Sequence, residues 1–194
     1  MTIEEEIRGY LEGGHEQRGV DFKGPCECDA DSLAKDIMAM SNIQDGGVII
    51  IGVQQEPGEK PLCVGMSEDQ LKTYNEDQLK DRVGLYADPY VEFVLDPATL
   101  DGKKLILIKV REFEEFPVIC KKQHDDKELR KGAIYFRTRT RRPESAEVST
   151  SQEMREIVDM AIDKGNQKLI KRGYKMGGPT PSADEQYEQE RGGY

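Results

Sequence analysis

Four arginines fall within six residues near the end of the last strand-like stretch of the chain: Arg137, Arg139, Arg141 and Arg142. The first three alternate, so an extended backbone sets them on one face at intervals of about 6 to 7 Å. That interval matches the repeat of phosphates along a nucleic-acid strand, and the planar guanidinium fork suits a phosphate well. Lys121 and Lys122 lie shortly upstream, and Lys23 lies on the polar side of an early strand. Together these seven cations are the candidate contacts to DNA or RNA. Few aromatic residues interleave with them, so contact with the phosphate backbone is expected rather than base stacking or sequence readout. The competing reading is that they neutralise the chain's own acids.

The charge balance bears on that choice. The 194 residues carry a net charge of -10, which argues against indiscriminate binding to polyanions. The balance is uneven: between Gly102 and Arg142 there are 13 Lys and Arg against 6 Asp and Glu. A basic segment on an acidic chain is more informative than the total. No apolar run approaches the roughly 18 to 20 residues of a membrane helix, and the acidic start MTIEEEIRGY does not read as a signal peptide. A cytoplasmic protein with no membrane partner is the expectation. Cys26-x-Cys28 is too close for a two-residue-spaced zinc knuckle, and Cys63 and Cys120 are isolated, so ordinary thiols are expected. His15 and His124 enter no Ser/His/Asp or metal-ligand constellation, although His15 stands beside Glu16 and could join it; His124 reads as an exposed loop residue.

The elements that must position these residues centre on Ser32–Val53. Apolar Leu33, Ile37, Met38 and Met40 recur at helical spacing up to Asn42. Gly46-Gly47 then allows a sharp turn into a run of β-branched residues, a strand buried on both faces. Upstream, residues 3–12 form an amphipathic helix with glutamates in its first turn. Val20 and Phe22 alternate with Asp21 and Lys23 in a short strand, which places that acid and base on the same face. Downstream the pattern predicts a helix over 67–82, a strand over 90–95, and a hairpin turn at Asp101-Gly102 leading into a buried strand over 103–110. Short strands over 118–122 and 133–138 follow, then a helix over 149–162 with Thr150 or Ser151 as its cap and Glu153 placed for a capping box. Beyond Gly165 the pattern fades into a polar tail. The chain divides into a helix over 1–13, a domain over 14–164 and a tail over 165–194.

This ordered set resembles the Schlafen-type, Alba-like domain family of nucleic-acid-binding proteins, in a bacterial stand-alone branch. The matching pieces are Asp21-Phe22-Lys23, the turn Asn42-Ile43-Gln44-Asp45-Gly46-Gly47 with the strand up to Val53, Phe113 to Lys122, and Gly132, Tyr135 and Arg137. The resemblance implies an α+β fold: a small, curved mixed sheet flanked by helices. It also implies a role in defence or regulation. Nuclease members use two acids matched here by Glu16 and Asp21, which would hold a divalent ion, Mg or Mn, to polarise a phosphate and activate water. The third acid of those members falls near Gln55, which is not an acid. Relatives are often labelled ATP-binding, but the order helix, glycines, strand is the reverse of a P-loop, and a tight turn is the plainer reading. Beyond nucleic-acid binding, two alternatives stand: a metal-dependent ribonuclease and a protein-interaction subunit. The size suggests a homo-oligomer or a partner protein.

Overall fold

The computed structural model describes residues 2–13, 18–56, 59–139 and 143–174. The elements in chain order are α1 (Ile3–Glu12), β1 (Val20–Lys23), α2 (Ala30–Ser41), β2 (Gly47–Ile51), β3 (Val53–Gln54), β4 (Leu62–Cys63), α3 (Glu68–Lys72), α4 (Glu76–Gly84), β5 (Ala87–Asp88), β6 (Phe93–Leu100), β7 (Lys103–Val110), β8 (Ile119–Cys120), β9 (Tyr135–Arg137), β10 (Ser145–Glu147) and α5 (Ser151–Lys171). Four strands form the main sheet in the order β1-β2-β7-β6. β1 runs parallel to β2, and the other pairs are antiparallel, so the sheet is mixed. Its flanking helices make the α+β architecture expected from the sequence.

The apolar run of β2 sits in the middle because both faces of the sheet are covered. Ile49 and Ile51 pack with Ile37, Met38 and Val83 on one side, while Val48 and Ile50 pack with Ile7 of α1 on the other. Each such side chain contributes roughly 1.5 to 3 kcal/mol on leaving water. Thr2 and Glu5 close a capping box at the start of α1, and Asp29 caps α2 through the Ser32 amide. Asp101 and Gly102 both have positive φ, 51° and 76°, which joins β6 to β7 by the primed turn the sequence predicts.

Three elements differ from expectation. The helix over 67–82 is two helices, because Asn75 turns extended and caps α4 through the Gln78 amide. The strand expected over 90–95 begins at Phe93 and runs through Pro97 to Leu100, a position allowed on the edge of a sheet. The last helix runs well past Ile162, through Gly165 to Lys171.

Candidate nucleic-acid interface

The alternating arginines do not form an exposed row. Arg137 is 2% exposed, the largest of the fully buried side chains. Its Nη1 lies 3.2 Å from Asp21 Oδ1, its Nη2 donates to the Val20 carbonyl at 3.2 Å, and its Nε reaches the Arg18 carbonyl at 3.4 Å. It therefore caps the open edge of β1, whose carbonyls have no strand beside them on that side. Arg18 reciprocates: its Nε donates to the Arg137 carbonyl at 2.8 Å, and its guanidinium lies 4.1 Å from the centre of the Phe136 ring. β9 is thus held to β1 by two crossed arginines instead of a backbone ladder. The expectation that Arg137 meets solvent phosphate is corrected by this burial.

Lys23 is also engaged. Its Nζ lies 3.1 Å from Asp21 Oδ2 and 2.7 Å from Asp36 Oδ2. Burial opposes its charge, but the two carboxylates hold its pKa above the ordinary lysine value. Lys23 joins β1 to α2 and is not a free surface cation. Arg139 is exposed, yet its Nε donates to Glu156 of α5 at 3.0 Å, and Glu156 is shared with Arg18. Burial works to raise the Glu156 pKa, and the hydrogen bonds from Arg139 and Arg18 outweigh it and leave the group below the ordinary glutamate value. Arg141 and Arg142 lie outside the described residues, as does Glu16.

Lys121 and Lys122 have a different setting. Both are exposed, and neither forms an ion pair among the described residues. Lys122 Nζ lies 5.8 Å from the centre of the Tyr86 ring. The Cys120 amide donates to the Ala133 carbonyl, and the Gly132 amide returns to the Cys120 carbonyl at 2.7 Å. This closure brings Lys131, also exposed and without an ion pair among the described residues, alongside Lys121. Sequence reasoning missed Lys131; the glycine after it, at φ 86°, was the turn signal that places it there. Arg139 lies at the far end of β9 from this hairpin, so the cations form separate patches and not one ridge.

The remaining motif residues are architectural. The Asn42 amide is fully buried, donates to the Val118 and Tyr135 carbonyls at 2.9 and 2.8 Å, and accepts from the Val118 amide. Gly46 has φ 69°, and a Cβ there would collide with the Val110 carbonyl oxygen. The glycine turn is therefore packed against β7. Tyr135 Oη accepts from the Arg130 amide and donates to the Glu128 carbonyl, fixing the hairpin beyond β8.

Of the two acids matched to a metal, Glu16 lies outside the described residues. Asp21 is already held by Arg137 and Lys23, and among the described residues no three His, Cys, Asp or Glu side chains gather into a metal-binding group. No helix among the described residues is long and apolar enough to cross a membrane.

Comparison with known proteins places this geometry. The profile of the family described as Schlafen, AlbA_2 matches residues 16–144. No curated protein matches the chain. Two solved structures are similar in outline. One is the DIP2311 protein of Corynebacterium diphtheriae, with TM-score 0.46, 17% identity and 77% of this chain matched; the match spans only 27% of that longer chain. The other is the N-terminal domain of a RecG-related ATP-dependent DNA helicase protein from Nitrosomonas europaea, with TM-score 0.43 and 19% identity over 58% of this chain and 74% of that one. With the profile running from ahead of β1, through the Asn42 turn, to beyond β9, the chain belongs to the Schlafen AlbA_2 family.

Proposed function

We propose that the protein binds nucleic acid through the phosphate backbone, with the hairpin that carries Lys121, Lys122 and Lys131 as its contact surface. One observation carries this reading. On an acidic chain where Lys23, Arg137 and Arg139 are tied to its own carboxylates, these three lysines share one exposed hairpin and have no carboxylate partner among the described residues. Family membership supports it, since the resemblance is to nucleic-acid-binding domains. Lysine ammonium groups act as mobile point charges, which suits backbone contact without base readout. Arg139 supplies a second, weaker contact at the other end of β9, where it must leave Glu156 to reach a ligand.

The test is fluorescence anisotropy with labelled single- and double-stranded RNA and DNA across a salt series. Binding is expected to weaken steeply with salt, and Lys121→Glu with Lys122→Glu to reduce affinity at least about tenfold and flatten the slope by about 0.7 to 0.9 per lost contact. Affinity unchanged in that variant, for every probe, refutes the assignment of the surface.

A further inference from the structure

We infer that the ligand is a single strand, and that it lays an unpaired base against Tyr90 in a cleft adjoining the lysine hairpin. This rests on the proposed phosphate contact at Lys121, Lys122 and Lys131 and names the class of nucleic acid that the contact serves. Among the described residues three aromatic side chains are largely exposed: Tyr90 at 56%, Phe116 at 63% and Tyr174 at 66%. The short ribbon of β5 and β8 gathers the first two. It is antiparallel, with Asp88 opposite Ile119. Tyr90 follows β5 by two residues and Phe116 precedes β8 by three, so both leave the ribbon at the same end. Lys121 stands at the other end, where its amide donates to the Tyr86 carbonyl at 2.7 Å. Tyr90 is far from Lys121 in sequence, so the order of residues alone does not show ring and cation on one ribbon.

Tyr90 also lines a cleft of about 480 Å³, within the range of small-molecule sites. Phe93, Val94 and Val110 supply its apolar lining. Its cations are already paired: Lys80 with Glu76, Lys109 with Glu6 and Asp96, and Arg111 with Glu92. A phosphate entering the cleft would have to break those pairs, so the cleft is not a phosphate site. A nucleobase is neutral and flat. It can cover the apolar lining and stack on Tyr90 while the ion pairs stay intact, and its polar edge can bond to their outer atoms. Such stacking accepts any base, which agrees with contact that does not read sequence.

Continuity with the hairpin selects the occupant. Tyr86 and Tyr90 are four residues apart, at most about 14 Å along the chain. A few nucleotides of one strand therefore reach from the unpaired lysines to the cleft. A duplex can offer phosphates to those lysines, but its bases are paired and stacked inside, and turning one out costs free energy.

The sequence contains no tryptophan, so Tyr90→Trp installs a single reporter in the full chain. Its emission is expected to be quenched on titration with oligo(dT) or oligo(U), and to change little with a duplex of equal length. In anisotropy, Tyr90→Ala is expected to weaken single-strand binding about five- to a hundredfold, while Tyr90→Phe stays within about twofold of wild type. The salt slope of Tyr90→Ala should match wild type, because its phosphate contacts remain. An abasic strand should bind wild type no better than the ordinary strand binds Tyr90→Ala. Tyr90 is exposed, so circular dichroism and thermal melting should be unchanged in each variant. An unquenched tryptophan at saturating single strand, an unchanged affinity in Tyr90→Ala, or an equal loss on duplex overturns this inference and leaves the lysine contact standing. No binding of any probe by wild type overturns both.

Discussion

Replacing Arg137 with alanine separates a structural arginine from a phosphate contact. In the native protein the guanidinium serves one carboxylate and two carbonyls, and its nearest side-chain hydroxyl, Ser145 Oγ, is 3.5 Å away. Deleting one partner of a buried pair typically costs about 3 to 5 kcal/mol, because the other charge stays buried and unmatched. Two features favour the lower end. The contacts are long, and Asp21 keeps Lys23 at 3.1 Å. About 3 kcal/mol is therefore expected, which for a domain of this size lowers Tm by roughly 6 to 12 °C. Arg137→Lys should recover only part of the loss, since a single ammonium cannot reach the carboxylate and both carbonyls together. The assay is urea unfolding followed by circular dichroism, beside anisotropy on the fraction that remains folded. Affinity per folded molecule should be unchanged. A variant that keeps its unfolding midpoint yet loses nucleic acid would refute the clasp and restore Arg137 to the binding surface.

Three further outcomes follow from the same geometry. Asn42→Ala leaves two buried carbonyls and one amide without their partner, so a loss of about 3 kcal/mol is expected in urea titrations. Gly46→Ala adds a Cβ where φ is 69° and Val110 backbone fills the space, so failure to accumulate soluble protein, or a Tm fall larger than for Asn42→Ala, is expected. Glu156 has a lowered folded pKa, so its contribution is present above the unfolded glutamate value and is lost as pH falls through the folded value. Thermal melts from neutral pH down to about pH 3 should show that acid limb, and Glu156→Gln should flatten it.

The sheet centre was legible because its signals are local. Helical spacing up to Asn42, two glycines and a β-branched run leave one arrangement in which all the apolar residues are covered. The ends of elements were less so. Asn75 splits a continuous-looking helix because a cap competes with propagation, and a pattern of apolar spacing does not register that competition. The length of α5 was hidden for the opposite reason. Its second half keeps Leu169 and Ile170 but exposes both, so no core-facing rhythm marks it.

The arginines show where periodicity helps and where it misleads. Alternation assigns Arg137, Arg139 and Arg141 to one side of a strand, but not that side to solvent. The same rule extended backwards puts Arg137 on the side of Tyr135 and Ala133, which are 2% and 1% exposed. Phe136 on the other side is 1% exposed as well, so both sides of β9 face inward, and a charge sent there requires a counter-charge. Asp21 is the complement, set off from Val20 and Phe22 by the same alternation on a strand whose edge lies next to β9. The two residues that most resemble a site in their separate segments are therefore one pair that holds the segments together. Motif positions satisfied in this way have little freedom to engage a polyanion, because releasing Arg137 to a phosphate leaves two carbonyls without their donor and Asp21 with Lys23 alone. On the proposed reading, ligand contact falls to positions outside those pairs, such as the hairpin lysines beyond β8.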